Sequence, residues 1–318
     1  MFEAVISEIE KYDSIVIFGH LNPDGDCYGS QVALRTIIKT QYPNKEVFAV
    51  GSGFPAFFDS LGKMDEVSLD RIKKSLAVVL DSNDLKRLED KRSKDALAFV
   101  KIDHHIDTHS FHEGPEVIDP KATSTCELIY RMVKEAKWVI NERAANALYL
   151  GVFTDSARFQ YSDNYARTFE IARDLCELGA KPHGLVTILN IAYEKALDLR
   201  KFIYSHVIKD NGVIYLVATK EERKEIDVTS QQVVGCTGLI SHIKGYPIWF
   251  IVSETDTGGM QVEMRSEGSY GIDVQKIASS FGGGGHLYAA GFTIKEFKRE
   301  TIDKLLDICH KAINERRK

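Results

Sequence analysis

Cysteine is scarce in this chain of 318 residues, and its spacing builds nothing. Cys27, Cys126, Cys176, Cys236 and Cys309 are odd in number and widely scattered, with no CxxC pair, which argues against a disulfide framework and a zinc ribbon. No apolar stretch approaches a membrane span, and residues 1–8 lack the basic start and apolar core of a signal peptide. A cytoplasmic protein with no membrane partner is therefore expected. Basic charge is not in excess: 41 Lys and Arg against 46 Asp and Glu give a formal net charge of −5. That balance disfavours tracking along duplex nucleic acid through a broad basic face. A short anionic ligand stays open, because carboxylates loaded with divalent cations become locally positive. The rest, 44% hydrophobic and 27% charged, describes a globular protein, and the length implies two domains.

Up to about residue 190 short apolar runs alternate with amphipathic segments, which predicts an α/β domain with a parallel sheet and flanking helices. Residues 15–18, 76–80 and 97–102 read as buried strands, and 28–40, 124–137, 144–154 and 165–178 as helices. The segment from Ala144 is nearly all small or apolar and must be buried. Gly179 and Pro182 close the last of these helices, and 194–209 reads as a connecting helix. Beyond Gly212 the pattern is mixed, with strands at 213–218, 247–253 and 260–265 and helical segments near 228–243 and 273–281. The expected organisation is a domain over 1–190, a connector over 191–210 and a smaller mixed-sheet α/β domain over 211–318. Ile302, Leu305, Leu306, Cys309 and Ile313 share one face of a final helix that covers the second core.

What the first half does contain is four acidic or histidine-bearing clusters. They are His20-Leu21-Asn22-Pro23-Asp24-Gly25-Asp26, then Asp81, then Asp103-His104-His105, then Asp155. Three directly follow the predicted buried strands and should meet at the carboxyl edge of one sheet. Oxygen and imidazole ligands converging there indicate a metal site, and a set without thiolate suits manganese or magnesium better than zinc. Asp24 and Asp26 flank one glycine, and two carboxylates that close repel each other unless a cation or proton lies between them. A plain Asn-Pro-Asp-Gly turn capping the next helix would use the same residues, but it accounts for neither His20 nor the later clusters. Asp81 alone is weak, since Ser82, Asn83 and Asp84 are rival caps. In Asp103-His104-His105 adjacent side chains point apart, so one imidazole can ligate while the next faces a substrate. His109 and His112 read as solvated and not as ligands, and Cys27 as a filler of a small-residue position.

These residues resemble the DHH family of phosphoesterases, named for the triplet found here at Asp103 to His105. The likeness spans the chain: His20-x-Asn22-Pro23-Asp24-x-Asp26 with Gly29-Ser30, Asp81, the triplet, Thr154-Asp155, then Arg265-Ser266 and Gly282-Gly283-Gly284-Gly285-His286. The last two elements are similar to the DHH-associated nucleotide-gripping domain of the bacterial nanoRNase and pAp-phosphatase branch. The pyrophosphatase branch lacks that glycine-rich half, so a nucleotide substrate is implied. Two departures stand out: Ala157 replaces a frequent glycine, and Cys27-Tyr28 replaces Ala-Ile or Ala-Leu.

The resemblance implies two metals per site, usually manganese, with magnesium or cobalt as substitutes. One would take His20, Asp24 and Asp81, the other Asp26, Asp81, His104 and Asp155, so that Asp81 bridges. Two metals roughly 3.5 to 4 Å apart hold a hydroxide as nucleophile and neutralise phosphate oxygens. His105 is then the candidate for the phosphate or the leaving oxygen, and Asp103 for orienting an imidazole. Arg265, Ser266, Gly283, Gly284, Gly285 and His286 would bind a terminal phosphate, the glycines by close backbone approach. Metals on one wall of a cleft and this clamp on the other would limit substrates to a few nucleotides. The expected function is hydrolysis of very short oligoribonucleotides and of the 3′-phosphate of pAp. A cyclic-di-AMP or pApA phosphodiesterase is the enzymatic alternative, and a non-hydrolytic nucleotide sensor the alternative of a different class. A homodimer is compatible with the sequence. Arg158 reads equally as a substrate contact and as a surface arginine.

Overall fold

The computed structural model describes residues 1–82, 84–105, 113–191 and 194–316; His109 and His112 lie outside them. The chain divides into two units, residues 1–191 and 192–318. In the first, strands β1 (Ser14–Phe18), β2 (Glu46–Ala49), β3 (Leu76–Leu80), β4 (Ala98–Asp103) and β5 (Glu116–Ile118) form one sheet. Its order is β2-β1-β3-β4-β5, and every pairing is parallel. Helices α1 (Glu3–Lys11), α2 (Gly25–Gln41), α3 (Phe58–Leu61), α4 (Leu69–Ile72), α5 (Thr125–Ala136), α6 (Glu142–Asp155), α7 (Tyr165–Glu177) and α8 (Pro182–Asn190) complete it. Side chains alternate across each strand. Ile15 and Ile17 therefore join the large core with Val32, Ile129 and Leu148, while Val16 and Phe18 face Ile72 and Leu88 on the other side. All five residues of β3 are buried, as in a parallel strand covered on both faces. The chain leaves β1 for β2 on one side and crosses to β3 on the other. The carboxyl ends of β1 and β3 thus flank the point where strand order reverses, the usual ligand crevice of such sheets.

The second unit contains α9 (Lys195–Ser205), β6 (Ile208–Asp210), β7 (Val213–Ala218), α10 (Lys220–Glu225), α11 (Ser230–Val234), β8 (Ile248–Glu254), β9 (Met260–Ser266), α12 (Val274–Ser279), β10 (Gly284–His286), β11 (Ala289–Ile294) and α13 (Arg299–Arg316). Its sheet runs β10-β11-β9-β8-β7-β6, with β7 and β8 parallel and the other pairs antiparallel. Tyr215, Phe250 and Val252 pack with Ile302, Leu305, Leu306, Cys309 and Ile313 of α13; Ile214, Leu216, Trp249 and Ile251 pack with Phe202, Ile203 and Val233 on the opposite face. The fold class is the expected one, a parallel α/β unit followed by a mixed-sheet unit.

Two segments differ from expectation. The helix from Lys195 stops at Ser205, and the chain turns into β6, because Asn211 (φ 44°) and Gly212 (φ 92°) make a two-residue hairpin with both residues left-handed. The glycine run, assigned to no element in the sequence, supplies edge strand β10, paired with β11 through Gly284↔Gly291, Gly285↔Ala290 and His286↔Ala289.

Candidate metal centre

Each candidate ligand stands at the end of an element. Asp24 caps α2, its Oδ1 accepting the N–H groups of Asp26 and Cys27 at 3.0 Å each. Asp26, in the first turn of α2, is 1% exposed. Its Oδ2 accepts from Thr125 N at 2.7 Å and its Oδ1 from Cys126 N at 2.9 Å, so the positive end of α5 faces this carboxylate. The three helices meet this closely because glycine stands where they cross. A Cβ on Gly29 would lie 2.4 Å from the Ala147 carbonyl oxygen, and one on Gly151 would lie 2.6 Å from Asp26 Oδ1.

Asp81 leaves β3 in the left-handed region at φ 56°, which aspartate tolerates better than most residues, and is 2% exposed. Thr125 Oγ1 donates to its Oδ1 at 3.1 Å. His20 follows β1 with Nδ1 3.0 Å from the Leu21 carbonyl oxygen, and His104 follows β4 with Nδ1 3.3 Å from that of Ala122. A carbonyl only accepts, so both Nδ1 atoms carry hydrogen and both Nε2 atoms are available as ligands. His20 Nε2 lies 3.5 Å from Asp81 Oδ2 and 3.8 Å from Asp24 Oδ1. His104 Nε2 lies 3.1 Å from Asp155 Oδ2, 3.5 Å from Asp81 Oδ1 and 3.9 Å from Asp26 Oδ2. The structure therefore brings His20, Asp24, Asp26, Asp81, His104 and Asp155 together, with Asp81 touching both halves.

The charges show what the cluster lacks. Burial, then the charges of Asp81 and Asp155, push the Asp26 carboxyl well above the carboxylate range; burial, then Asp81 and Asp24, do the same to Asp155. Burial works against the His20 imidazolium, yet Asp24 and Asp81 hold it far above its ordinary range. Carboxylates forced together in this way need a counter-charge, and an oxygen-rich set with two imidazoles fits divalent cations. Among the described residues, potential ligand atoms within 4.8 Å of one another occur in three groups: His20, Cys27 and Asp81; Asp81, His104 and His105; and Asp26, His104 and Asp155.

His105 turns aside. Its Nδ1 lies 2.8 Å from Asp103 Oδ1, and its own N–H donates to the same oxygen at 3.1 Å. Burial lowers its pKa, but the hydrogen bond to Asp103 and the charge of Asp81 outweigh that and raise it to about 9. Asp103 is fully buried, its Oδ2 has no hydrogen-bond partner, and Lys101 Nζ stands 3.8 Å away. Cys27 does more than fill space: its buried Sγ accepts the His20 N–H at 3.2 Å and sits with two candidate ligands. Burial raises its thiol to about 12. Thr125, which positions two of the aspartates, was missed in the sequence; the Ser124-x-x-Glu127 helix start was the available signal. Arg158 donates from Nη2 to Asn190 Oδ1 at 2.8 Å and lies over the Phe153 ring, a structural use. Ala157, at the position where glycine is frequent, is left-handed at φ 46°.

In the second unit, Arg265 pairs across the ladder with Ala289, and Ala289 with His286, so Arg265 and His286 share a sheet face. Arg265 Nη1 is 3.0 Å from Glu263 Oε2. Ser266 is 5% exposed, and its hydroxyl donates to the Ile272 carbonyl oxygen at 2.7 Å, anchoring the following turn. The glycines also differ among themselves. A Cβ on Gly283 would meet the Gly291 carbonyl oxygen at 2.2 Å and one on Gly285 that of Ala289 at 2.5 Å, whereas Gly284 faces open space.

The profile of the DHH family N-terminal domain matches residues 14–152, and that of the DHHA1 domain residues 209–315. The chain is 34% identical over 312 residues to the bifunctional oligoribonuclease and PAP phosphatase NrnA of Mycoplasma genitalium, covering 97% of this chain and 96% of that protein. With the protein of the same name from Bacillus subtilis it shares 30% over 310 residues, 95% of each chain. Cyclic-di-AMP phosphodiesterase GdpP of Geobacillus thermodenitrificans is 25% identical over 310 residues but is covered over only 46% of its length. Among solved structures, an exopolyphosphatase-related protein from Bacteroides fragilis superposes with a TM-score of 0.83 at 24% identity, covering 99% of this chain and 95% of that one; that likeness concerns the fold.

Proposed function

Since the chain belongs to the DHH family, we propose that it is a phosphoesterase that shortens very small oligoribonucleotides and removes the 3′-phosphate of pAp. The observation that carries the substrate is the end-to-end likeness to relatives named for both activities, over the second unit as well as the first. His20, Asp24 and Asp81 would hold one divalent cation, and Asp26, Asp81, His104 and Asp155 a second. Bound there, manganese, or magnesium or cobalt in its place, would acidify water and neutralise phosphate oxygens.

The residues of the chain supply the rest. Thr125 and the amides of α5 hold Asp81 and Asp26 in place before any ligand arrives. His105, kept protonated through neutral pH by Asp103, offers a proton to a phosphate or leaving oxygen. Arg265 and His286, on one sheet face, would take a terminal phosphate in exchange for Glu263, with Gly284 leaving the backbone open beside them. No helix among the described residues is long and apolar enough to cross a membrane. Short RNA and phosphorylated adenosines are the proposed partners, the cytoplasm the proposed setting, and a homodimer is compatible with this reading.

The likeness to GdpP favours, more weakly, a second reading in which pApA or cyclic di-AMP is the main substrate. The deciding experiment measures phosphate and nucleotide release from pAp and labelled pApA, with manganese or chelator, for the native chain and Asp81→Asn. Metal-dependent turnover of both, lost in the variant, supports the first reading. Turnover of pApA alone favours the second, and turnover of neither by metal-loaded protein refutes both.

A further inference from the structure

Away from the carboxylates, the first unit carries a cavity of about 390 Å³ lined mainly by cations. Arg35, Thr36, Lys39 and Thr40 reach it from the C-terminal half of α2, Lys63 and the single carboxylate, Asp65, from the stretch after α3, and Arg143 from the first turn of α6. Among the described residues only Arg35 is compensated, through Nη1 to Asp65 Oδ2 at 2.6 Å. Arg143 donates to the Leu61 carbonyl oxygen and has no carboxylate partner among the described residues. Neither Lys39 nor Lys63 has an ion-pair partner among the described residues; Lys39 Nζ lies over the Phe48 ring, 5.8 Å from its centroid.

Three uncompensated cations around one cavity repel each other, and a chain of formal net charge −5 has acidic residues enough to avoid it. Arg143 also stands at the positive end of the α6 dipole, where a cation is disfavoured and an anion favoured. The Thr36 hydroxyl adds a donor that suits phosphate oxygens, whereas that of Thr40 donates to the Thr36 carbonyl oxygen at 2.8 Å. The position is separate from the proposed metal centre: Asp26 lies in the first turn of α2 and Asp155 ends α6, whereas Lys39 and Arg143 lie at the other ends. At about 1.5 Å of rise per residue that separation is roughly 20 Å.

We propose that this cavity is a binding site for a phosphate-bearing small anion, with Lys39, Lys63 and Arg143 as its charge contacts. The test is titration of inorganic phosphate into the full chain, freed of metal by chelator, by calorimetry at low ionic strength. The comparison is with Lys39→Ala/Lys63→Ala and, separately, Arg265→Ala. Both lysines are exposed, so the double variant should keep the native circular dichroism spectrum. Saturable binding that survives Arg265→Ala and weakens at least tenfold in the lysine double variant is the expected result. Absence of saturable binding, binding unchanged in the double variant, or binding abolished by Arg265→Ala would overturn the proposal.

Discussion

The pair formed by His105 and Asp103 sets a pH dependence that can be read directly. His105 is raised to about 9 by its hydrogen bond to Asp103, against the lowering effect of burial, and an unfolded histidine titrates near 6.5. The folded state therefore binds the extra proton between those values. The contribution of the pair is full below about pH 6.5 and is lost as the pH rises through about 9. In metal-free protein, Asp103→Asn should bring the His105 ring titration, followed by NMR, down toward its ordinary value. The stability gap between native and variant should also be wider near pH 6 than above about pH 10. An unmoved ring titration would show that Asp103 is not what holds the proton. The candidate ligand residues were legible because all but Asp155, which ends α6, follow a strand or begin a helix, and strand ends in a parallel sheet converge. Thr125 was not, because its role depends on where the amides of α5 meet Asp26, a contact across 99 positions of sequence. The reach of Cys27 toward His20 and Asp81 was hidden for the same kind of reason: it comes from the path of the loop, not from spacing.

Among the elements, the crossing of α2 with α6 decides whether the centre forms. Gly29→Ala would put a methyl 2.4 Å from the Ala147 carbonyl oxygen, a backbone atom that cannot rotate aside. The helices must part, at a cost of about 1–3 kcal/mol typical of overpacking. Because Asp26 rides on α2 and Asp155 on α6, the same displacement should weaken metal binding. A lowered urea midpoint together with weaker manganese binding in calorimetry is expected; a loss of stability with unchanged metal affinity would separate the crossing from the centre. Most elements were legible from periodicity, including the buried α6 and the apolar face of α13. The misses have separate causes, turn chemistry in one and a strand partner outside the helical pattern in the other. Asn211-Gly212 is a strong hairpin signal just beyond what read as the end of a connecting helix. Gly283 and Gly285 are required by contact with the backbone of β11, so the run reads as an edge strand only once its partner is known.

At the scale of the molecule, two units with separate cores need not unfold as one. The candidate metal ligands all lie in residues 20–155, so a divalent cation that binds the native first unit stabilises that unit alone. At free metal of a hundred times the dissociation constant the gain is about 2.7 kcal/mol, which for a unit of this size is a rise of roughly 5 to 10 °C in its midpoint. The gain should grow with pH from acid to neutral. Without metal, the raised Asp26 and Asp155 carboxyls keep protons that the unfolded chain has released, so folding loses stability as the pH rises through that window, and a bound cation offsets the loss. Scanning calorimetry with manganese and then with chelator should move one transition and leave the other in place, and Asp81→Asn should flatten the shift. Equal movement of both transitions would mean that the cation also engages the second unit. No movement of either would remove the counter-charge on which the proposed chemistry of the first unit depends.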